Sequence, residues 1–217
     1  MSAAVSAAVS ALRDRFTTLL RRLGATGDTY ALAEALLSAW SAPERGYHDL
    51  RHLEDCLAQL DTAGEPDQAT RDVVEAALWF HDAVYDPRAS DNEERSAAWA
   101  LEALPGTGIP RDVGGQVARL VRLTRGHAPV PDRAGQLMCD IDLSILGRPV
   151  EMFDSYDRGV RAEYAWVPET IFRAHRAQVL EDFLRRDPLF QTPAFRQRFE
   201  ATARTNLRRA LARLSQA

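Results

Sequence analysis

Apolar residues recur at intervals of three and four positions along almost the whole chain, which is the spacing that places them on one face of an α-helix. No stretch shows the sustained alternation of apolar and polar residues that is typical of half-buried strands. Segments rich in Gly and Pro, such as GATGD, TAGEP and LPGTGIP, mark the turns. The pattern predicts an all-α fold of about ten helices, at residues 5–23, 28–41, 47–62, 68–85, 91–103, 111–125, 132–147, 150–164, 167–185 and 192–214.

The length and composition favour one domain. The chain has 217 residues, of which 46% are hydrophobic and 27% are charged, and it contains no long linker, repeat or low-complexity segment. We therefore expect a single helical domain over residues 1–217.

The net charge argues against two classes of partner. A formal charge of −4 gives no general attraction to nucleic acid or to anionic membranes, and no apolar run approaches the ~18 residues of a membrane span. The opening MSAAVSAAVSAL lacks the basic region of an export signal and continues into an amphipathic helix. We expect a cytoplasmic protein that binds neither nucleic acid nor membrane.

Cysteine and lysine usage excludes further chemistries. Cys56 and Cys139 are isolated in the sequence, without CxxC spacing, and the interpretation we favour is two buried, inert thiols. All 27 basic residues are arginines, so a P-loop lysine and a Schiff-base lysine are both excluded.

The segment GYHDLRHL places His48 and His52 four positions apart in the predicted helix 47–62. Side chains at this spacing project side by side from a helix, so two imidazoles can share a metal or a substrate. The alternative is a pair of solvated or capped histidines, which this spacing alone does not exclude.

The segment LWFHDAVYD ends a predicted helix that is apolar almost all round and is therefore expected to be buried. An imidazole and a carboxylate, His81 and Asp82, are adjacent there, and burying both is costly unless something compensates. A divalent cation would compensate, because neutral imidazole and carboxylate are natural ligands. A hydrogen-bonded structural pair is the alternative.

The segment QLMCDIDLSILG supplies a further carboxylate. On a helical wheel Asp142 falls between Met138 and Leu146, near the buried side. Asp140 lies about 160° away by the same arithmetic, nearer the expected solvent side. Only one of the two can face a common site, and Asp142 is the predicted one.

The succession of His52, His81-Asp82 and Asp142 resembles the H…HD…D arrangement of the HD-domain superfamily of metal-dependent phosphohydrolases. The likeness covers roughly residues 45–147, and the whole chain resembles predicted HD hydrolases of bacteria. YHDLRHLED and IDLS are also similar to the YHN-x-x-H-x-x-D and A-D-L-S segments of the cyclic-nucleotide phosphodiesterases, whereas HDAVYD departs from their HD-x-D-H. The fold that this implies is an HD-type helical bundle.

The resemblance implies roles for these residues. His52, His81, Asp82 and Asp142 would bind a divalent metal ion, and His48 would protonate the leaving oxygen. Mixed nitrogen and oxygen ligation suits manganese, magnesium, iron or zinc, as one ion or two.

Further candidates lie outside the motif. The resemblance suggests that Glu93, which with Ser90 also reads as a capping box, contacts the site or a second metal. His127 follows a helix and is expected to bind substrate or a second metal, unless it is an ordinary loop residue. Arg125 and Arg161 are candidate phosphate clamps, because guanidinium matches phosphate bidentately. His175 is expected at the surface.

Three classes of function remain open. The first is a phosphohydrolase acting on a nucleotide or another small phosphorylated metabolite. The second is a di-iron oxygenase of the HD fold, and the third is a non-catalytic regulatory module that binds a metal or a nucleotide. Nothing in the sequence defines the substrate or the oligomeric state; a homodimer is the commonest assembly.

Overall fold

A computed structural model describes residues 3–64 and 67–216. Over these two ranges the chain forms ten α-helices, one short 3-10 helix and no strand, which confirms the all-α prediction. The α-helices are α1 (Ala3–Arg22), α2 (Tyr30–Trp40), α3 (Leu50–Asp61), α4 (Gln68–Phe80), α5 (Asn92–Gly106), α6 (Arg111–Leu123), α7 (Arg133–Asp142), α8 (Val150–Glu163), α9 (Glu169–Arg185) and α10 (Pro193–Ser215), with the 3-10 helix at Leu143–Gly147.

The boundaries differ from the predicted ones beside the candidate motifs. Helix α3 begins at Leu50 because the side chain of Asp49 accepts a hydrogen bond from the backbone N–H of Arg51, 2.9 Å away, and so caps the helix. His48 therefore precedes the helix, and the prediction of one helix from residue 47 is wrong. Helix α4 ends at Phe80, not at 85, so His81 and Asp82 lie in the turn that follows.

The core forms around α4. Its last turns bury Val74, Leu78, Trp79 and Phe80 completely, as the sequence pattern predicts. Burial of each such large side chain contributes roughly 1.5–3 kcal/mol. Helix α4 packs against α1, α3, α5, α6 and α7, so its C-terminal end delivers the residue that follows, His81, into the interior.

None of the helices formed by the described residues is long and apolar enough to cross a membrane.

Candidate metal centre

Three chain segments converge on one point. His52 comes from the first turn of α3, His81 caps the end of α4, and Asp142 is the last residue of α7. The Nε2 atoms of His52 and His81 lie 3.2 Å apart. Asp142 Oδ1 lies 3.2 Å from Nε2 of His52 and 3.5 Å from Nε2 of His81. Residues far apart in the sequence thus present three donor atoms within hydrogen-bonding range of one another.

Asp82 completes the arrangement. Its Oδ2 atom lies 3.3 Å from Nε2 of His81 and 3.8 Å from Nε2 of His52. All four residues predicted as ligands, His52, His81, Asp82 and Asp142, therefore lie together, and we call them the donor cluster. The two carboxylates remain partly accessible, whereas the two imidazoles are almost completely buried.

The tautomer of His81 is set by the end of its own helix. Its Nδ1 atom lies 2.8 Å from the carbonyl oxygen of Leu78. A carbonyl can only accept, so Nδ1 carries the proton and donates it. The lone pair of the neutral ring is then on Nε2, which faces the cluster, as is usual for a histidine that binds a metal.

The spacing of these atoms fits a small cation. An ion bound at about 2.1 Å from each ligand requires neighbouring donor atoms about 3.0–3.5 Å apart. The two imidazole nitrogens and the Asp142 oxygen are separated by 3.2, 3.2 and 3.5 Å. Without a cation or a proton, two nitrogen lone pairs and two carboxylates would face one another in a largely dry site, which is costly.

The pKa values of His81 and Asp142 also indicate a site that attracts a cation. Burial by itself lowers the pKa of His81, but the charges of Asp82 and Asp142 and its hydrogen bonds outweigh burial and raise that pKa to about 9. Burial likewise raises the pKa of Asp142, yet the charge of His81 and the hydrogen bonds from His127, His52 and His81 hold it well below its usual value. The carboxylates thus make this site attractive to positive charge.

Cys56 lies against the cluster. One donor atom each from His52, Cys56, His81 and Asp142 falls within 4.8 Å of the others, a buried group that could hold a metal ion. The Cys56 sulfur is 3.7 Å from Nε2 and 3.8 Å from Nδ1 of His52. The nearly equal distances to the two nitrogens place the sulfur beside the ring and not in front of the Nε2 lone pair. The Cys56 sulfur therefore packs against the His52 ring, and the Asp82 carboxylate is better placed than Cys56 to be a fourth ligand.

Both cysteines are buried and unpaired, as predicted. Burial raises the pKa of the Cys56 thiol well above its usual value and that of Cys139 to about 12, so neither is a reactive thiolate in the structure as described.

His48 is held by a carboxylate that the sequence did not single out. Its Nδ1 atom donates to Oε2 of Glu163, the last residue of α8, over 2.8 Å. The other carboxylate oxygen of Glu163 accepts from three successive backbone N–H groups, at Gly46, Tyr47 and His48, over 2.8–2.9 Å. The hydroxyl of Tyr85 donates to Oε2 as well, and the ring of Tyr85 stacks on His48 with 4.3 Å between centroids.

The charges of this pair stabilise each other. Burial raises the pKa of Glu163, but the hydrogen bond and charge of His48 and the backbone donors lower it to about 2. Burial lowers the pKa of His48, but the hydrogen bond to Glu163 and the charges of Asp82, Glu163 and Asp142 raise it overall. His48 is therefore inclined to carry a proton.

Two glycines let α8 approach this loop. A Cβ atom on Gly46 would lie 2.5 Å from the carbonyl oxygen of Gly159, and one on Gly159 would lie 2.8 Å from the carbonyl oxygen of Gly46. Only residues without a side chain permit that approach. The contact places Glu163, one turn further along α8, under the backbone of residues 46–48.

Arg45 ties the two histidine segments together. Its guanidinium donates to the carbonyl oxygens of His48, Asp82 and Ala83 over 2.6, 2.8 and 3.0 Å. The loop before α3 and the turn after α4 are thus fixed to each other by one side chain.

The prediction that Asp140 faces solvent is wrong. Asp140 is completely buried, and its two carboxylate oxygens accept from the backbone N–H groups of Gln191 and Thr192, each over 2.7 Å. The wheel placed it opposite Asp142 correctly, but the segment that leads into α10 covers that face. Asp140 therefore has a structural role away from the cluster.

A cavity of about 670 Å³ opens beside the donor cluster. Asp82 and Asp142 lie in its wall, and so does His48. The predicted site residues Glu93, Arg125 and His127 also line it, as does the exposed His175 of α9. Much of the remaining wall is aromatic or aliphatic, formed by Tyr47, Tyr85, Leu143, Ile145, Leu146, Tyr156, Val160, Tyr164, Phe172, Val179 and Phe183.

His127 contacts the cluster directly. Its Nε2 atom lies 2.7 Å from Oδ2 of Asp142, the carboxylate oxygen other than the one that faces His52. His127 was predicted to bind substrate or a second metal; the structure shows its Nε2 atom engaged by a protein carboxylate, and the predicted role stays a prediction.

Arg161 is not a phosphate clamp in this structure. Its guanidinium donates to Glu169 and to the carbonyl oxygens of Tyr164 and Val167, and it lies over the ring of Phe172. These contacts close the turn between α8 and α9, so the guanidinium donors of Arg161 are already used.

The prediction of a capping box at Ser90 is wrong, because α5 begins after Asp91 and no side chain caps the helix.

Glu163 and Arg45 could not be identified as site residues from the sequence, for a physical reason. Each acts on backbone groups that are distant in sequence, and their partners become neighbours only when α8 and the turn after α4 pack against the loop 45–49. The only local signal was the pair of glycines, Gly46 and Gly159, which marks a close approach only once both are seen together.

Comparison of the chain with protein-family models, with curated proteins and with solved structures found no match.

Proposed function

We propose that this protein is a metal-dependent phosphohydrolase that cleaves a phosphate ester of a nucleotide or another small metabolite. The observation that carries the proposal is the donor cluster at the wall of a 670 Å³ cavity, with His48 in the same wall. A cluster with partly accessible carboxylates leaves room for water and substrate, which is characteristic of catalytic and not structural sites. The resemblance to the HD-domain hydrolases supports the same reaction.

The protein groups that would hold the ion are His52, His81, Asp82 and Asp142. A bound divalent cation supplies an acidified water and neutralises charge that develops on a phosphoryl oxygen. With two imidazoles among four ligands, manganese, iron and zinc suit the site better than magnesium, which prefers oxygen. Asp142 is fixed by His127 and His81 is fixed by Leu78, so two of the four ligands are oriented before any ion binds.

His48 is the proton donor in this proposal. Its Nδ1 atom is engaged by Glu163, which leaves Nε2 as the ring nitrogen that can serve a molecule in the cavity. A histidine held by a carboxylate can give its proton to the leaving oxygen and recover it afterwards. The stacked ring of Tyr85 restricts rotation of the imidazole, so the donor keeps one direction.

The cavity wall also offers contacts for the rest of a substrate. Arg125 is exposed at the cavity and makes no ion pair within the part of the chain that the structure describes. Its guanidinium is therefore free to meet an anionic group. Glu93 stands in the same wall and suits hydroxyl or amino groups of the leaving alcohol.

The test is a panel of phosphate monoesters and diesters, incubated with the metal-stripped protein and added Mn²⁺, Fe²⁺ or Zn²⁺. Release of phosphate or of a nucleoside monophosphate from at least one of them, abolished by a chelator and by His81→Ala, supports the proposal. The matched control is Arg173→Gln, because Arg173 does not line the cavity and its guanidinium donates to the carbonyl oxygens of Arg213 and Leu214.

Two results would overturn the proposal. Two irons per chain together with consumption of oxygen would indicate the di-iron oxygenase. Tight binding of metal or nucleotide without turnover of any ester would indicate a regulatory module.

A further inference from the structure

His127 has an unusual backbone conformation. Its φ angle is +47°, the left-handed region that residues other than glycine seldom adopt, although Gly126 directly precedes it. The left-handed conformation is therefore adopted by the histidine and not by the adjacent glycine. Strained positions of this kind persist where the surrounding structure fixes them, and they concentrate at functional sites.

Arg186 holds this backbone. It follows the last residue of α9, and its guanidinium donates to the carbonyl oxygens of His127 and Gly126 over 2.7 and 2.8 Å. The same guanidinium lies over the ring of Phe183, which in turn contacts the His127 ring edge to face. One arginine thus fixes the turn of the loop, and the aromatic ring beside it limits where the imidazole can go.

The fixed imidazole meets Asp142. A carboxylate can only accept, so His127 donates from Nε2 to Oδ2 of Asp142 over 2.7 Å. The other oxygen, Oδ1, then points at His52 and His81. Because Nε2 carries the proton, that nitrogen has no lone pair for a second metal ion. The hydrogen bond from His127 to Oδ2 therefore keeps Oδ1 of Asp142 directed at His52 and His81.

We propose that Arg186 and His127 act together as positioning residues that hold Asp142 in the orientation required to bind a cation. The inference rests on the proposed metal site and adds that its geometry is set by residues that follow α6 and α9, outside the H…HD…D motif. His127 touches the carboxylate and not the ion.

The experiment measures Mn²⁺ affinity of the metal-stripped protein by calorimetry for five variants. His127→Ala and Arg186→Gln should weaken binding about 10- to 100-fold, the usual effect of losing a group that orients a ligand. His127→Gln can still donate a hydrogen bond and should bind within a few-fold of the parent, as should Arg186→Lys. Arg173→Gln is the matched control, because Arg173, on α9, likewise donates to two successive carbonyl oxygens, those of Arg213 and Leu214.

A second measurement does not depend on metal. In crystals of metal-free His127→Ala, the Asp142 carboxylate should adopt a different rotamer, while His52 and His81 keep their positions. An unchanged Asp142 overturns the inference. A parent protein that binds no Mn²⁺, Fe²⁺ or Zn²⁺ overturns the proposed function, whereas a rotated Asp142 would still support the positioning role.

Two further results would contradict the positioning role of His127 and Arg186. Mn²⁺ affinity unchanged in His127→Ala and Arg186→Gln would mean that neither residue positions a ligand. A fall from two bound ions to one in His127→Ala and His127→Gln alike would make His127 a ligand of a second ion, and the inference would be wrong.

Discussion

The Nε2 atoms of His52 and His81 lie 3.2 Å apart, although His52 belongs to α3 and His81 to the turn that follows α4. Both rings are almost completely buried, and Asp82 and Asp142 stand beside them. Two nitrogen lone pairs at this distance repel unless a proton or a cation lies between them. This relationship is the basis of the metal predictions.

His52→Ala and His81→Ala should each lose most of the bound metal, because either change removes one of four donors. Elemental analysis of protein purified without chelator gives the metal content per chain. His175→Ala, the exposed histidine of the cavity wall, should keep the content of the parent. Full occupancy in both ligand variants would end the metal hypothesis.

His48→Asn should retain metal and lose activity. The residue is held by Glu163 and contributes no atom to the donor cluster, so binding of the ion should be unaffected. Turnover of any ester that the panel identifies should fall by roughly 10²–10⁴, the range for a lost general acid. A loss of metal equal to that of His52→Ala would instead identify His48 as a ligand.

Substitution of Asp140 should affect stability, whereas substitution of Asp142 should affect metal binding. Asp140→Ala leaves the backbone N–H groups of Gln191 and Thr192 without their acceptor and should lower the free energy of unfolding by about 2–5 kcal/mol. Asp142→Ala should abolish metal binding. Urea denaturation and calorimetry on both variants check this, and a variant of Asp140 as stable as the parent would contradict the structure.

Glu163→Gln should be destabilised in a pH-dependent way. The pKa of Glu163 is about 2 in the folded protein and 4.5 ordinarily, so its charge stabilises the fold fully above pH 4.5. That contribution, of order 3 kcal/mol at about 1.4 kcal/mol for each pKa unit, is lost as the pH falls from 4.5 toward 2. Unfolding of parent and variant should therefore differ at pH 7 and converge near pH 2–3. A constant difference would contradict the assigned pKa.

The glycine contact gives a purely steric prediction. Gly46→Ala forces a methyl group against the Gly159 carbonyl and should displace α8, lowering stability by more than about 1 kcal/mol and His48-dependent activity with it. Gly115→Ala, in the middle of α6 with no atom within 4 Å of the added methyl, should instead raise stability by about 0.5–1 kcal/mol. Thermal unfolding distinguishes the two, and equal effects would refute the packing.

The helical fold could be predicted from local sequence patterns. Apolar residues at helical spacing and Gly- and Pro-rich turns act locally, so ten helices could be predicted with boundaries mostly within a few residues. The cost of burying polar groups without a partner also pointed to His81, Asp82 and Asp142, whereas His52 was selected as a ligand through the resemblance to the HD-domain superfamily. The assignment to the HD-domain superfamily and the catalytic role stay predictions.

Which polar groups contact one another depends on how the helices pack, and this could not be predicted. Asp140 was expected in solvent because a helical wheel shows direction but not what covers that direction, here the segment entering α10. Arg161 could not be told from other arginines until its contacts between α8 and α9 were known. Glu163 and Arg186 act on backbone groups more than fifty residues away. Almost every residue offers the same backbone N–H and C=O groups, so the partner in such a hydrogen bond has no characteristic residue type. The roles of Glu163 and Arg186 can therefore be recognised only once the packing of the helices is known.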